Sequence, residues 1–331
     1  MRTLLPVFLL ASLTNGPLCA ADQEIRVASF NIAMGLGQAG DMQTALESGL
    51  DQRLQQLAEV LQTVRPDIVL LNEFDYDPAT DAAALLNSNY LGLDRNTAEP
   101  IGYPYHFRAP VNTGVDSGLD LDGDGKSGGP GDSWGFGHFP GQYGMLVLSR
   151  FPLMQEKTRT FQQFRWSEMP DARRPMNPDG STFHPDEVWE KMRLSSKSHW
   201  NLVFDIGGKE FHLLAHHPTP PVFDGPEDRN GARNFDEIRF WRNYTFPRPM
   251  EYMTDDNGRA GGIQPDSLFI IAGDFNADPH DGDSVEGAIE QLLEAPWINS
   301  SCTPVSAGGA EAALKQGGVN TGHTGDPAVD T

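Results

Sequence analysis

Short runs of consecutive apolar residues recur along this chain, and a polar residue closes each of them. Ile68–Leu71 runs into Asn72-Glu73, and Leu268–Ala272 runs into Gly273-Asp274-Phe275-Asn276. Phe211–Ala215, with His212 inside it, runs into His216-His217-Pro218. Runs this short suit strands better than helices, and they lack the alternation of a strand with one face in water. Strands that are apolar throughout are covered on both faces, so the chain must place a layer on either side of its sheet.

Met145–Leu148 and Asn201–Phe204 are further strand candidates, and Ile25–Ile32 alternates apolar with small or polar residues as a strand does. Leu46, Leu50, Leu54, Leu57, Leu61 and Val64 are spaced by three or four, which predicts one apolar stripe on one helix. Pro66 stops it, because proline disfavours helical geometry in the residue before it. Helices are also predicted near Asp228–Tyr244 and Ser284–Leu293. Strand, helix and strand in this order indicate an α/β or α+β fold. Tyr103–Gln142 and Trp166–Ser198 read as long irregular segments, which in a compact domain tend to be functional or ordered by a ligand. No internal repeat or domain linker is evident.

Acidic residues number 46 against 24 lysines and arginines, a formal charge of −22 in 331 residues. A general nucleic-acid binder carries a basic stripe instead, so this chain needs a local basic patch or a bound cation to meet a phosphate. Eighteen Phe, six Trp and seven Tyr supply ample bulk for a core and argue against disorder.

The first residues read as an export signal. Arg2 precedes the apolar run Leu4–Leu13, and small residues at Ala20 and Ala21 suit a signal peptidase. The run is shorter than the roughly 20 residues that span a bilayer. A signal peptide over 1–21, a secreted or periplasmic location and no transmembrane segment are therefore expected. Cleavage removes Cys19 and leaves Cys302 without an internal partner.

Open sheets place ligand sites at the carboxyl ends of their strands. Asn31, Glu73, His216 or His217, Asp274 and Asn276 all follow apolar runs and can meet at one rim. Glu73 and Asp274 are hard oxygen donors suited to Mg²⁺ or Mn²⁺. Asn31 and Asn276 can hydrogen-bond a phosphate without adding repulsion, and a histidine can donate to a phosphoryl oxygen. The strand phase leaves open which histidine does so.

Asp120, Asp122 and Asp124 stand at positions 1, 3 and 5 of a loop with Gly125 at 6, as in the start of an EF-hand. Gly131 occupies position 12, where an EF-hand has glutamate, and Asp132 follows. The segment reads either as a structural Ca²⁺ loop formed by Asp120, Asp122, Asp124 and Asp132 or as a solvated acidic turn. Trp134, Phe136 and Phe139 could stack a base, dip into a membrane or pin the loop to the core.

Ser29-Phe30-Asn31, Leu71-Asn72-Glu73, Leu148-Ser149-Arg150-Phe151-Pro152, His216-His217-Pro218 and Gly273-Asp274-Phe275-Asn276 occur in the order seen in the endonuclease/exonuclease/phosphatase (DNase I-like) superfamily, which the chain resembles from about Ile25 onward. The resemblance implies a four-layer α/β/β/α sandwich over 22–331, two packed mixed β-sheets flanked by helices. It implies metal-dependent cleavage of a phosphodiester or phosphomonoester with Mg²⁺ or Mn²⁺. It assigns Glu73 and Asn31 to the metal, Asp274, Asn276 and His217 to catalysis, and Asn276, His217 and Asn31 to the phosphate. Arg150 is expected to be structural. Family members also end with a further strand and a Ser-Asp-His motif, which the 55 residues after Asn276 do not contain. Neither His323 nor Asp330 replaces it, and the expectation is a domain lacking that last strand. The function expected is an exported phosphoesterase acting on nucleic acid or a small molecule. The alternative is an inactive member or fragment acting as a metal-dependent binding protein. No protein partner is predicted.

Overall fold

The computed structural model describes residues 24–94, 98–248 and 250–329. The signal peptide read over 1–21, Cys19 and Asp330 lie outside the described residues. Strands β1 (Val27–Met34), β2 (Ile68–Phe74), β3 (Tyr105–Phe107) and β4 (Met145–Ser149) form a sheet in the order β1-β2-β4-β3. Strands β5 (Arg159–Thr160), β6 (Trp200–Ile206), β7 (Lys209–His216) and β8 (Leu268–Gly273) form a second in the order β5-β6-β7-β8. Both sheets are mixed: β1 and β2 are parallel, β7 and β8 are parallel, and the remaining pairs are antiparallel.

The two-sided burial of the apolar runs in β2, β4, β6 and β7 is what stacks these sheets; the expectation fails for β8, an edge strand that leaves Leu268 59 % and Ile270 39 % exposed. In β2, Ile68 and Leu70 pack between the sheets, whereas Val69 and Leu71 face away. In β4 the same division separates Met145 and Val147 from Leu146 and Leu148. The second sheet supplies Trp200, Leu202, Phe204, Phe211, Leu213 and Ala215 to the shared layer. Full burial of each large apolar side chain contributes roughly 1.5–3 kcal/mol.

Helices cover both outer faces. On the first sheet lie α1 (Asp41–Ser48), α2 (Gln52–Val64) and α3 (Ala82–Leu86), through Leu46, Leu54, Leu57, Leu61 and Leu86. The short α4 (Asp186–Trp189) precedes α5 (Arg229–Tyr244), whose Ile238, Phe240, Trp241 and Tyr244 pack with Leu214 of β7. Two further helices follow, α6 (Glu290–Leu293) and α7 (Ala307–Gln316). Among the described residues no helix is long and apolar enough to cross a membrane.

Two helix expectations are corrected. The stripe from Leu46 to Val64 is two helices, not one. Gly49 closes α1 in the left-handed region at φ +64°, and the Asp51 carboxylate starts α2 by accepting the N–H groups of Arg53 and Leu54. Leu50, inside the break, is 79 % exposed. Of Ser284–Leu293 only the last four residues are helical, because Gly287 at φ +82° interrupts the turn before them. The two long segments are irregular apart from β3, α4 and single helical turns at Pro130–Asp132 and Trp166–Glu168.

Candidate active site

The carboxyl ends of β1 and β2 in one sheet and of β7 and β8 in the other open onto the same rim. Asn31 joins them. Its Nδ2 donates to Glu73 Oε1 at 3.0 Å and to Asp274 Oδ2 at 2.8 Å. The amide orientation is set by its other end, where Oδ1 accepts the N–H of Ala33 at 2.9 Å. Glu73 adopts φ +56° and Asn276 φ +49°, the left-handed region that non-glycine residues seldom occupy. Such conformations persist where the surroundings over-determine them, and they concentrate at functional sites.

Asp274 owes its position to the residue before it. A Cβ at Gly273 would collide with the carbonyl oxygen of His216, so glycine alone lets β8 run this close to β7. Beyond it, the N–H of Asn276 donates to Asp274 Oδ1 at 3.0 Å, and Asn276 Nδ2 donates to the carbonyl of Pro218 at 3.1 Å.

Strand phase separates the two histidines. Phe211, Leu213 and Ala215 of β7 point between the sheets, and Leu214 points at α5. His216 follows Leu214 and is buried among His199, Trp241 and Phe275, with ring centroids 5.4, 6.0 and 4.5 Å away. His217 turns to the rim, where its Nε2 lies 3.7 Å from Asp274 Oδ2. That distance exceeds a hydrogen bond. Burial holds both imidazoles well below the usual histidine range, so both are neutral near pH 7.

The donor set fits a hard divalent cation. It offers carboxylate oxygens and no thiolate, with the Asn31 amide turning its nitrogen to both carboxylates. Two carboxylates converging on one amide nitrogen repel each other unless positive charge lies between them. The partial charge on Asn31 Nδ2 supplies some, and a divalent ion supplies more.

Sequence reasoning missed a cation at this site. Lys197 is buried just ahead of β6, and burial pushes its ammonium down to about 8 against the pull of Glu237, Glu73 and Asp274. Glu237 of α5, itself fully buried, accepts the N–H groups of Ser196 at 2.7 Å and Thr219 at 2.6 Å. It thereby fixes the segments that carry Lys197 and His217. Asp75 does the same on the other side, accepting the N–H groups of Leu36 at 2.9 Å and Tyr143 at 2.8 Å, and burial pushes its carboxyl up to about 6. A lysine in an irregular segment carries no sequence signal. Glu237 did carry one, because it lies four residues before Trp241 on the buried stripe of α5.

A cavity of about 780 Å³ adjoins the rim, with Glu73, Lys197 and His217 in its wall. The acidic loop contributes Asp122 to the same wall. Oxygens of Asp120, Asp122 and Asp124 lie within 4.8 Å of one another. Asp132 does not join them. It is buried, and its two oxygens accept the N–H groups of Leu121 at 2.9 Å and Gly129 at 3.0 Å, which brace the loop. Trp134 packs toward the α5 layer beneath the Arg193 guanidinium, 4.9 Å from the ring centroid, while Phe136 stays 57 % exposed at the cavity. Arg150 ties to Asp67 at 3.1 Å, away from the rim.

The model of the Endonuclease/Exonuclease/phosphatase family matches residues 28–328. No curated protein matches the chain. Similar solved structures include an endonuclease/exonuclease/phosphatase from Beutenbergia cavernae DSM 12333, 16 % identical with a TM-score of 0.42. That likeness covers 82 % of this chain and 53 % of the other, so this chain spans about half its length. A mutant of beta toxin from Staphylococcus aureus, with bound magnesium ions, is 15 % identical with a TM-score of 0.42, over 84 % of this chain and 71 % of that one. Sphingomyelinase C from Streptomyces griseocarneus is 18 % identical with a TM-score of 0.39, over 83 % and 70 %.

Proposed function

The chain belongs to the endonuclease/exonuclease/phosphatase family, and we propose that it is a metal-dependent phosphoester hydrolase working at the rim of Asn31, Glu73, His217, Asp274 and Asn276. The observation that carries this reading is the convergence of Glu73 and Asp274 on the one amide of Asn31. Glu73 would hold Mg²⁺ or Mn²⁺, and Asn31 would join it through Oδ1 once its amide turned over; the ion when bound neutralises phosphate charge and supports the leaving oxygen.

The remaining work falls to the chain's own groups. Asp274 orients the attacking water and takes its proton, while the Asn276 N–H on its other oxygen keeps the carboxylate in place. His217, neutral, donates a ring N–H to a phosphoryl oxygen. Lys197 places a positive charge beside the phosphate where little water screens it, and a charge there is worth more than one in solvent. The water oxygen attaches to phosphorus, the ester P–O bond breaks, and the leaving oxygen takes a proton from solvent to become the alcohol while Asp274 returns its proton to solvent. Asn276, anchored on Pro218, holds a further phosphate oxygen. Export is part of the same reading and rests on the apolar run Leu4–Leu13 behind Arg2.

Hydrolysis of bis(4-nitrophenyl) phosphate by purified Asp274→Ala tests the assignment. Turnover is expected to fall by at least about 10². Wild-type rates in the variant reject the role given to Asp274. Binding of magnesium and phosphate without turnover in the parent chain supports a binding protein instead.

A further inference from the structure

We propose that the cavity beside the rim receives the organic group of the substrate, and that this substrate is a single-phosphate ester with an apolar or aromatic body. The proposal rests on the phosphoesterase reading above and names its substrate class. The cavity, at about 780 Å³, has the size of a site for a whole small molecule. It is continuous with the reacting end, because Glu73, Lys197 and His217 belong to its wall.

Much of the rest of the wall is apolar, with hydroxyl and amide side chains such as Thr113, Tyr143 and Asn230 between. Leu121, Phe136, Trp166, Met192, Val222 and Phe223 face the cavity from the two irregular segments and from the stretch after β7. Two arginines also line it, and each spends donors on the protein itself. Arg233 donates to the carbonyls of Leu194 at 2.8 Å, Trp134 at 2.5 Å and Arg193 at 3.0 Å, and Arg229 pairs with Glu227. His184 spends Nε2 on the carbonyl of Leu121, and burial lowers its pKa, so it is neutral. Lys197 is then the cation of the wall that, among the described residues, makes no hydrogen bond through its ammonium. Asp122 adds a negative charge to the same wall.

One cation with no hydrogen-bond partner among the described residues, two arginines held by the protein and one added carboxylate suit a single phosphate better than a run of them. A nucleic-acid strand presents many, and each phosphate bound needs its own counter-charge. The net charge of −22 works in the same direction. Apolar surface buried in such walls contributes to affinity in proportion to its area, about fourfold for each methylene.

Calorimetric titration with phosphonates in magnesium tests the proposal, since a P–C bond is not an ester and resists hydrolysis. The series runs from methyl through butyl to octyl phosphonate, with phenyl and naphthyl members beside it. Affinity is expected to rise by about fourfold per methylene until the cavity is filled. Val222→Trp should remove the gain for the longest members. The alkyl and aryl arms distinguish a lipid-like from an aromatic ester by whichever binds more tightly. Equal affinity across the series, or tighter binding of a single-stranded oligonucleotide than of octyl phosphonate, overturns it. The matching alcohols separate the two readings. If they bind and no phosphonate does, the phosphoesterase reading fails and the substrate class falls with it. If phosphonates bind without a size dependence, only the substrate class fails.

Discussion

Asn31 and Asp274 stand 243 residues apart in sequence and on different sheets, yet the amide of one donates to the carboxylate of the other at 2.8 Å. The bond ties the sheets together at the rim where their strands end. It also separates two carboxylates, because the same nitrogen holds Glu73. Removing it should therefore act on stability and on metal dependence together.

Asn31→Ala deletes both bonds, and hydrogen bonds to charged partners carry more than neutral ones. The variant is expected to lose roughly 1–3 kcal/mol in urea unfolding without divalent ions, and to recover part of that in magnesium. Equal stability of variant and parent in chelator contradicts this.

Lys197→Met should separate function from stability. The ammonium is costly to bury, and burial holds its pKa down at about 8. An apolar side chain of similar length removes that cost, so the thermal midpoint should rise. Phosphoester turnover should fall by about 10²–10³, the range seen when a charge-stabilising group is lost. A lowered midpoint, or unchanged turnover, defeats the assignment.

Glu237→Gln keeps the shape of the side chain and leaves one acceptor oxygen for two buried N–H groups, those of Ser196 and Thr219. One of them loses its partner, and the expected cost is about 1–3 kcal/mol by denaturant unfolding. Turnover should fall as well, because the segments bearing Lys197 and His217 are no longer fixed. An unchanged unfolding midpoint excludes the bracing role.

Acid should unfold the protein early. Burial lowers the pKa of His184, His199, His212, His216 and His217. A histidine lowered on folding binds its proton more readily in the unfolded chain, so stability is lost as pH falls through 6.5 toward the folded value. For His199, held down to about 4, the full loss is about 3 kcal/mol. Asp75, pushed up to about 6, opposes this, because its folded form takes up a proton first between 6 and 3.8. Asp228 and Asp236, also raised by burial, oppose the loss in the same way; the five imidazoles outweigh these three carboxyls, and urea midpoints should drop from pH 7 to 5. A flat or rising profile contradicts the burial of neutral histidines.

Much of the fold was legible because its strands are covered on both sides. Ile68–Leu71 announces that burial in sequence, whereas Leu268–Ala272 reads the same way but forms an edge strand with Leu268 and Ile270 exposed; their closing residues Glu73 and Asp274 both reach the rim. The break between α1 and α2 was written in Gly49 and Asp51, but apolar spacing alone reads through a turn of that length. Strands of two or three residues, such as β5 and β3, are too short for any periodicity. His216 and His217 could not be told apart because the face of β7 that meets α5 is decided only when the sheet is packed. Lys197 was illegible for a related reason. Its importance comes from Glu237, Glu73 and Asp274, which reach it from three other segments.

The measurement that bears most directly on the central claim is phosphodiester hydrolysis before and after removal of divalent metal. Bis(4-nitrophenyl) phosphate turnover by the purified protein should vanish in EDTA and return with added Mg²⁺ or Mn²⁺, and Glu73→Gln should need more metal for the same rate. Undiminished turnover after thorough chelation would contradict a metal-dependent site at Asn31, Glu73 and Asp274.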